Sequence, residues 1–362
     1  MSKISNKLNL GISKMLTILI IAIIVIAVGV GLGYYYTSIS SQKFTIAITV
    51  AGADPIPLYW AYQNGLFKKY LPEADVETFP QGGGAVIDAI TSKKAQIGFL
   101  NIFSILTAIA KGVPIKIVAV WDVSPYTAGV IVKNNSRYYN ITQLKGKTFA
   151  NSRPGSFDAV TLELMAGHLG WGNNYTKIYV GSPSAQIAAV LSGKADATLI
   201  NIWTAYSVIQ TQQVRLIYIV KQEWPAEYIV ATNSFITQQP NLIVNVIKAT
   251  YKIMQDYYSN TSSVIQFMKK YYNYTESAAI EYLHTVIYAT NPSLAAINET
   301  AIKLAINALI NAGVLPSNFT SISISSIYTN KFVLETAGSS ASLILINIFM
   351  VNVARENLAF FI

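Results

Sequence analysis

An alternation of strand-like and helix-like segments is the feature of this sequence that most restricts its fold. The run FTIAITV at 44 to 50 has the composition of a buried strand, and PIPLYWAYQNGLFKKY at 55 to 70 follows it as a helix. The same order repeats through DVETF, AVIDAITSKK, AQIGFL and IFSILTAIAKG to a strand, PIKIVAVW, at 114 to 121. Repeated strand-helix steps predict a mostly parallel sheet with helices on its faces.

A second alternating set follows a junction of extended character, AGVIVKN, at 128 to 134. It runs through KTFAN, a helix from Phe157 to Leu169, KIYV, PSAQIAAVLSGK, DATLIN and WTAYSVIQT to a strand at 214 to 220. The segment EYIVATN at 227 to 233 leads the chain back, after which it is helical to about Gly313. We therefore predict an α/β protein with two lobes, lobe I from residues 44–122 and 231–332 and lobe II from 123–230. Ligands of such sheets bind beyond the carboxyl ends of the strands, which predicts a cleft between the lobes.

The N-terminus carries an uncharged apolar run from Met15 to Tyr36, which at about 1.5 Å per residue spans a hydrocarbon core of roughly 30 Å. Residues 1–14 before it contain lysines and no acidic residue, so the positive-inside rule places them in the cytoplasm. We expect a single-pass anchor in the cell membrane, a linker at 37–43 and an extracytoplasmic binding domain. A cleaved signal peptide is the alternative, with Ser38 and Ser40 near the cleavage site, but the run exceeds a usual signal core.

Composition excludes several kinds of site. The chain has no cysteine, which rules out disulfides, thiolate metal sites and a lipid-modified cysteine. The two histidines, His168 and His284, lack a metal-ligand spacing, so we expect neither a metal nor a cofactor. The net charge is +9, but no dense basic run or motif points to nucleic acid. Seven Asn-x-Ser/Thr sequons on the predicted outer side agree with a glycoprotein and begin at Asn134, Asn140, Asn174, Asn260, Asn273, Asn298 and Asn318.

Four blocks of the sequence resemble a known family, the extracytoplasmic solute-binding proteins of ABC importers in the nitrate, sulfonate, taurine and thiamine-precursor group. The blocks are YWAYQNGLFKKYLPEADVETFPQGGGAVIDAITSKKAQIGF, AKGVPIKIVAV, LKGKTFANSRPGSFDAV and ATNSFITQQPNLIVNVIKA. The resemblance covers roughly residues 44 to 332 and implies a type II periplasmic-binding-protein fold, with two crossings between the lobes near 123–130 and 225–232. It also implies a monomer that captures a small solute and delivers it to a permease with ATPase subunits. The tail at 333–362 departs from the family pattern, and its role stays open.

On lobe I, candidate ligand contacts follow the predicted strands. Gln81 and three glycines, Gly82, Gly83 and Gly84, join a strand to a helix, where backbone N–H groups approach a ligand closely. Their alternative role is an ordinary turn. Three polar or aromatic residues end other strands of the lobe and are Asn101, Trp121 and Asp122. Asp54 also follows a strand, although a cap on the helix that begins at Pro55 explains it as well.

On lobe II, the loop NSRPGS precedes a helix and offers an anion seat. Arg153 supplies a fork of donors for a carboxylate, sulfonate or phosphate, while Gly155 and Ser156 stand at the helix start. An exposed arginine beside a capped helix is the alternative. Asn201 and Trp203 follow the next strand pair and are the remaining candidates.

These features predict a membrane-anchored receptor that closes two lobes over a small organic or inorganic anion or zwitterion, such as a sulfonate, taurine or nitrate. It performs no chemistry, because closure rather than reaction is the event that a permease recognises. A thiamine-precursor pyrimidine is the alternative ligand if Asp122 and the aromatic residues dominate the cleft. A biosynthetic enzyme on the same fold is the alternative from another class.

Overall fold

The chain divides into two compact units, residues 1–44 and 45–362. The structure, a computed structural model, describes residues 21–29, 43–50 and 55–338. In the first unit, residues 21–29 form a helix, α1, whose large apolar side chains are 54–64% exposed. The predicted anchor at 15–36, the linker at 37–43 and the tail at 333–362 lie largely outside the described residues.

The second unit alternates strands and helices in the predicted order. Its strands are β1 (Phe44–Thr49), β2 (Ala74–Phe79), β3 (Ile97–Asn101), β4 (Ile115–Lys133), β5 (Thr148–Asn151), β6 (Thr176–Tyr179), β7 (Ala197–Asn201) and β8 (Val214–Thr232). Its helices up to β8 are α2 (Ile56–Gln63), α3 (Leu66–Tyr70), α4 (Gly83–Thr91), α5 (Ile102–Ala110), α6 (Phe157–His168), α7 (Pro183–Leu191) and α8 (Ile202–Ile209). The later helices are α9 (Asn233–Gln238), α10 (Pro240–Ser259), α11 (Thr261–Tyr272), α12 (Glu276–Thr285), α13 (Pro292–Ala295), α14 (Glu299–Asn311), α15 (Ile324–Ile327) and α16 (Lys331–Ala337). Short 3₁₀ helices lie at Ile141–Leu144 and Ser317–Ser321.

All eight strands belong to one sheet in the order β2-β1-β3-β8-β4-β7-β5-β6. Lobe I holds β1 to β3, and lobe II holds β5 to β7. The strands β4 and β8 are each 19 residues long, pair antiparallel and run through both lobes. The β4–β8 pair is therefore the double crossing that connects the lobes, and it confirms a two-lobed α/β periplasmic-binding-protein fold.

The structure corrects two details of the predicted sheet. Within each lobe β1 pairs with β3, and β5 pairs with β6 and β7, in parallel, but both lobes join β4 or β8 in antiparallel fashion. The sheet is therefore mixed, because the segments predicted as separate strands at 114–121 and 128–134 continue as one long strand, β4, which pairs antiparallel with β7 and β8. The second crossing also precedes the predicted boundary at residue 231, since Glu227–Ala231 already pair with β3 of lobe I.

Glycine allows close packing of helix on sheet in lobe I. A Cβ atom on Gly98 in β3 would lie 2.8 Å from Cγ1 of Val86 and 3.0 Å from Cδ1 of Ile90, both in α4. Contacts that short do not occur between relaxed side chains, so this position holds α4 close to the strand whose end reaches the cleft.

The C-terminal helices complete lobe I. α10 is amphipathic and buries Ile243, Val246, Ile247 and Ile253 against the lobe. Among the described ranges, one stretch, Pro292–Asn311, is long and apolar enough for a membrane span by length and composition alone, with 39% of its most apolar window buried. This is weak evidence for a span, because a core helix of a soluble protein passes the same test.

Candidate functional site

A small cavity lies between the two lobes, where the carboxyl ends of β3, β5 and β7 converge. Its volume is about 80 Å³, which is room for roughly five to eight water-sized groups. Both lobes contribute to its wall, as does the crossing strand β8. The lining residues are Thr49, Gln81, Gly82, Gly83, Phe99, Leu100, Asn101, Ser104, Ser152, Ser156, Phe157, Asp158, Gly181, Pro183, Gln186, Ile200, Asn201, Thr204 and Glu227.

Five helices begin at this cavity. The first turns or caps of α4 and α5 line it from lobe I, and those of α6, α7 and α8 line it from lobe II. Backbone N–H groups in a first helical turn have no partner within the helix and carry the positive end of the peptide dipole. The cavity therefore offers backbone donors from several directions to the acceptor groups of a bound molecule.

In lobe I, Asn101 and Ser104 form the base of the cavity. The Oδ1 atom of Asn101 accepts a hydrogen bond of 2.9 Å from the backbone N–H of Ser104 and caps α5. Ser104 is 4% exposed, and its Oγ has no hydrogen-bond partner among the described residues. Gly83 permits this arrangement, since a Cβ atom there would lie 3.1 Å from Oγ of Ser104. The turn before it needs glycine as well, because Gly82 has a φ of 83°.

In lobe II, a buried carboxylate organises the loop between β5 and α6. Oδ2 of Asp158 accepts hydrogen bonds from the backbone N–H of Ser152 at 2.5 Å and from Nε2 of Gln186 at 2.8 Å. Its Oδ1 accepts one from Oγ of Ser156 at 2.7 Å and another from the Ser152 hydroxyl. Burial raises the pKa of Asp158 above its ordinary value, while the hydrogen bonds from Ser152 and Ser156 act in the opposite direction. Asp158 thus fixes the orientation of both serines at the cavity wall.

At the crossing, acidic residues stand beside one another across the sheet. Glu227 of β8 is directly opposite Asn101 in β3 and opposite Asp122 in β4. Glu227 is 4% exposed and lines the cavity, whereas Asp122 is 3% exposed, does not line it, and accepts a hydrogen bond from the backbone N–H of Ser124. A carboxylate therefore lines the cavity from β8, one of the two strands that connect the lobes.

The lobes touch each other around the cavity, so the structure is a closed arrangement. Nη1 of Arg153 in lobe II lies 3.2 Å from Oδ2 of Asp88 in lobe I. The rings of Phe103 and Phe157 stack across the gap with centroids 6.1 Å apart. On another side Trp203 meets the edge of Tyr282 at 5.4 Å.

Six of the residues predicted from the sequence line the cavity: Gln81, Gly82, Gly83, Asn101, Ser156 and Asn201. Asn201 is the lobe II counterpart of Asn101, because it ends β7 and its Oδ1 accepts a hydrogen bond of 2.8 Å from the backbone N–H of Trp203. Asp54 lies outside the described residues.

The other predicted residues are near the cavity but not in its wall. Trp121 is fully buried, stacked on Tyr288 at 4.3 Å and packed behind Phe99, which itself lines the cavity. Arg153 turns outward to Asp88 instead of inward. Gly84, Gly155, Trp203 and Asp122 do not line the cavity either. Gly84 faces the side chain of Arg153, and Gly155 faces Thr107 of lobe I. Trp203 packs on Tyr206 and Tyr282.

Sequence reasoning missed the two carboxylates of the cavity. Glu227 stands in the strongly apolar strand PAEYIVAT, and an acidic residue in such a strand is a recognisable signal. Asp158 gave no such signal, because an acidic residue in the first turn of a helix is common for electrostatic reasons alone. The serines Ser104 and Ser152 and the amide of Gln186 resemble ordinary surface residues in the sequence.

Solved structures with the same fold include several binding proteins. The Candida albicans CA3427 gene product, described as having the generic periplasmic-binding-protein fold, matches with a TM-score of 0.67 and 20% identity over 82% of this chain and 95% of that one. The alkanesulfonate-binding protein SsuA of Xanthomonas axonopodis pv. citri, bound to MOPS, has a TM-score of 0.65 and 16% identity, covering 80% of this chain and 98% of the other. The nitrate-binding protein NrtA of Synechocystis has a TM-score of 0.65 and 14% identity, covering 82% and 88%. These likenesses establish the fold.

Two curated relatives come from Saccharomyces cerevisiae and are named 4-amino-5-hydroxymethyl-2-methylpyrimidine phosphate synthases, THI5 and THI12. Each is 29% identical over 174 residues, which are 47% of this chain and 47% of the relative, so the chain matches about half the length of either. The family model described as NMT1/THI5 like matches residues 53–263, a range that includes most of the lining residues of the cavity. This chain therefore belongs to the NMT1/THI5-like family.

Proposed function

We propose that this chain is the solute receptor of an ABC-type importer. One observation carries the proposal: a small cavity lies between the two lobes and is lined by capped helix starts from both. A ligand that contacts both lobes stabilises the closed form over the open form, and this difference is what a permease reads. The binding proteins for alkanesulfonate and nitrate among the structural neighbours support the same role.

The ligand in this proposal is a small polar solute. A cavity of about 80 Å³ excludes peptides and oligosaccharides in the closed form. Small anions and zwitterions, including sulfonates, taurine-like compounds and nitrate, have a suitable size, and the first turns of five helices supply donors for their oxygen atoms. The permease and its ATPase subunits are the partners that follow from this role.

We propose further that the N-terminal segment tethers the receptor to the cell membrane, with the binding domain on the outer side and the first residues in the cytoplasm. The uncharged run from Met15 to Tyr36 supports this. So does the exposed apolar surface of α1, where Ile21, Ile24 and Ile26 are each more than half exposed. Extraction of the full-length chain from membranes by detergent, but not by carbonate or high salt, is the expected result; release by salt alone contradicts tethering.

Ligand-induced closure is the test of the receptor role. The chain has no cysteine, so spin labels on N173C in lobe II and N241C in lobe I report a single distance between the lobes. Both positions are exposed. Titration of the purified full-length chain with a panel of small sulfonates, amino acids, nitrate and aminopyrimidines should shift the distance distribution toward one short value for at least one compound. A distribution that no member of the panel changes contradicts the proposal.

A biosynthetic enzyme on the same fold is the second candidate, because the curated relatives carry the name of a pyrimidine phosphate synthase. The two candidates differ in what becomes of the bound molecule. A receptor returns its ligand unchanged after binding, whereas an enzyme converts it. Mass spectrometry of the same panel after prolonged incubation with the purified chain separates them, and more than one equivalent of product per chain supports the enzyme.

A further inference from the structure

The end of lobe II that points away from the cleft is strongly basic. Four neighbouring strands, β8, β4, β7 and β5, end or begin there, since Lys133 of β4 pairs with Val214 of β8, and Ala197 of β7 pairs with both Val132 and Phe149. This edge of the sheet and its loops bring together six basic residues that are distant in sequence, and we call them the basic pole: Lys133, Arg137, Lys145, Lys147, Lys194 and Arg215.

The charge of the basic pole is not neutralised within the described part of the chain, where none of its six side chains forms an ion pair. Two acidic residues lie near this edge. Glu163 is paired with Lys177, and Asp196 accepts hydrogen bonds from the hydroxyl of Tyr138 at 2.7 Å and the backbone N–H of Thr148 at 3.0 Å. Four members of the pole are exposed: Lys133, Arg137, Lys145 and Lys194. The pole therefore presents an excess of positive charge to its surroundings.

Arg215 gives the basic pole a fixed shape. Its guanidinium donates hydrogen bonds of 2.7 Å to the backbone carbonyls of Ser136 and Tyr138, and another to the carbonyl of Asn134. It also lies 4.0 Å from the ring centroid of Tyr139, which is 74% exposed. The carbonyl groups hold the guanidinium in place without cancelling its charge. The loop after β4 therefore presents an aromatic ring and positive groups in a defined arrangement.

The form of the basic pole favours an extended anionic surface as its partner. At a spacing of about 4.8 Å per strand, the four strand ends span roughly 14 Å, so the charges are spread over a face. Such a face matches a layer of phosphate groups better than one small anion. An exposed tyrosine beside cations is typical of the membrane–water interface, and the uncharged run from Met15 to Tyr36 supports a membrane near this chain.

We infer that the basic pole docks on the anionic phosphate headgroups of the membrane. This goes beyond the receptor role, because it assigns the tethered domain an orientation in which the far end of lobe II meets the lipid surface. Each basic side chain near an anionic surface raises the ratio of docked to undocked molecules roughly five-fold. The attraction acts over about a Debye length, so the docked population falls as salt is added.

The test places the full-length chain in lipid nanodiscs that carry a nickel-chelating lipid. A spin label on N173C, in the exposed turn between α6 and β6 at the pole, reports proximity to the lipid through its relaxation by nickel, and a label on N241C in lobe I is the reference. We expect faster relaxation of the N173C label in discs with phosphatidylglycerol than in discs of phosphatidylcholine alone. The difference should disappear at about 0.5 M sodium chloride.

The variant K133Q/R137Q/K145Q removes three charges from the pole. It should lower the ratio of docked to undocked molecules by roughly 100-fold. The matched control K68Q/K248Q/K252Q removes three exposed charges from lobe I, and the ratio should stay within about 3-fold of the wild type. Circular dichroism checks that both variants fold, and the wild-type comparison of two lipid compositions requires no variant at all.

Several results would overturn the inference. They are equal relaxation of the N173C label in the two lipid compositions, an unchanged signal in K133Q/R137Q/K145Q, and a stronger response at N241C than at N173C. Binding of inorganic polyphosphate without any response to phosphatidylglycerol assigns the pole to a soluble polyanion and overturns the lipid assignment as well. The receptor role fails separately, when no compound of the wider panel closes the lobes.

The predicted sequons supply a second test, because three of them begin at this end of lobe II, at Asn134, Asn140 and Asn174. A glycan at any of them would hold the basic pole away from the lipid. The chain for the nanodisc experiment is therefore produced in a host without N-glycosylation. In protein from its natural source, peptide mass spectrometry should find these three asparagines unmodified, and glycans on them contradict the docking.

Discussion

The ion pair between Arg153 and Asp88 allows a test of whether Arg153 holds the two lobes together or binds the ligand. The side chains are 35% and 75% exposed and their nearest N and O atoms are 3.2 Å apart. Exposed pairs of this kind contribute about 0.2–1 kcal/mol, which is a change of roughly 1.4- to 5-fold in the ratio of closed to open molecules. An arginine that donates directly to an anionic ligand contributes about 1.5–3 kcal/mol, or roughly 10- to 150-fold.

The assay is the distance between spin labels on N173C and N241C, measured without ligand. Arg153→Met and Asp88→Asn should each shift the population toward the open form by the same small factor, and the double variant should shift it no further. Exchange of the two charges in R153D/D88R should restore the wild-type distribution. The reasoning is refuted if D88N has no effect while R153M reduces solute binding by 10-fold or more, because Arg153 then serves the ligand and not the closure.

Two further predictions concern stability. Gly98→Ala should lower the free energy of unfolding by about 1–3 kcal/mol, because its Cβ would lie 2.8 Å from Val86. Gly167→Ala in α6, where a Cβ would meet no atom within 4 Å, should raise the free energy of unfolding by about 0.5–1 kcal/mol. Urea denaturation measures both changes, and similar effects of the two substitutions contradict the packing argument. Because the pKa of Asp158 is raised in the folded state, the folded chain retains its proton at higher pH, so its contribution to stability is present below a pH of about 4 and is lost as the pH rises. The stability of the wild type relative to Asp158→Asn should therefore fall as the pH rises above about 4, and a rise contradicts the assignment.

Periodicity alone predicts most of the fold. The strand-like runs at 44–50, 75–79 and 95–100 appear as β1 to β3 in the expected order. The joining of 114–121 to 128–134 into the single strand β4 could not be read from the sequence, because the linking residues include Pro125, which usually interrupts a strand. Register across the crossing depends on tertiary pairing with β8 and not on local propensity.

The site was predictable where a residue ends a strand and caps a helix. Asn101 and Asn201 combine both signals, and both line the cavity. Arg153 and Trp121 were predicted from residue type, and the direction of their side chains is decided by partners far away in the sequence, Asp88 and Tyr288. Such partners are set by the tertiary structure, which explains why residue type alone pointed these two into the cleft.

The most direct test of a solute-binding cleft is a crystal structure of the full-length chain with the tightest compound of the panel. The account predicts density for the compound between the lobes, within hydrogen-bonding distance of Ser104, Asn101 and Glu227 and beside the helix start at Ser156. A compound bound with comparable affinity elsewhere on the surface, with only water between the lobes, would contradict it.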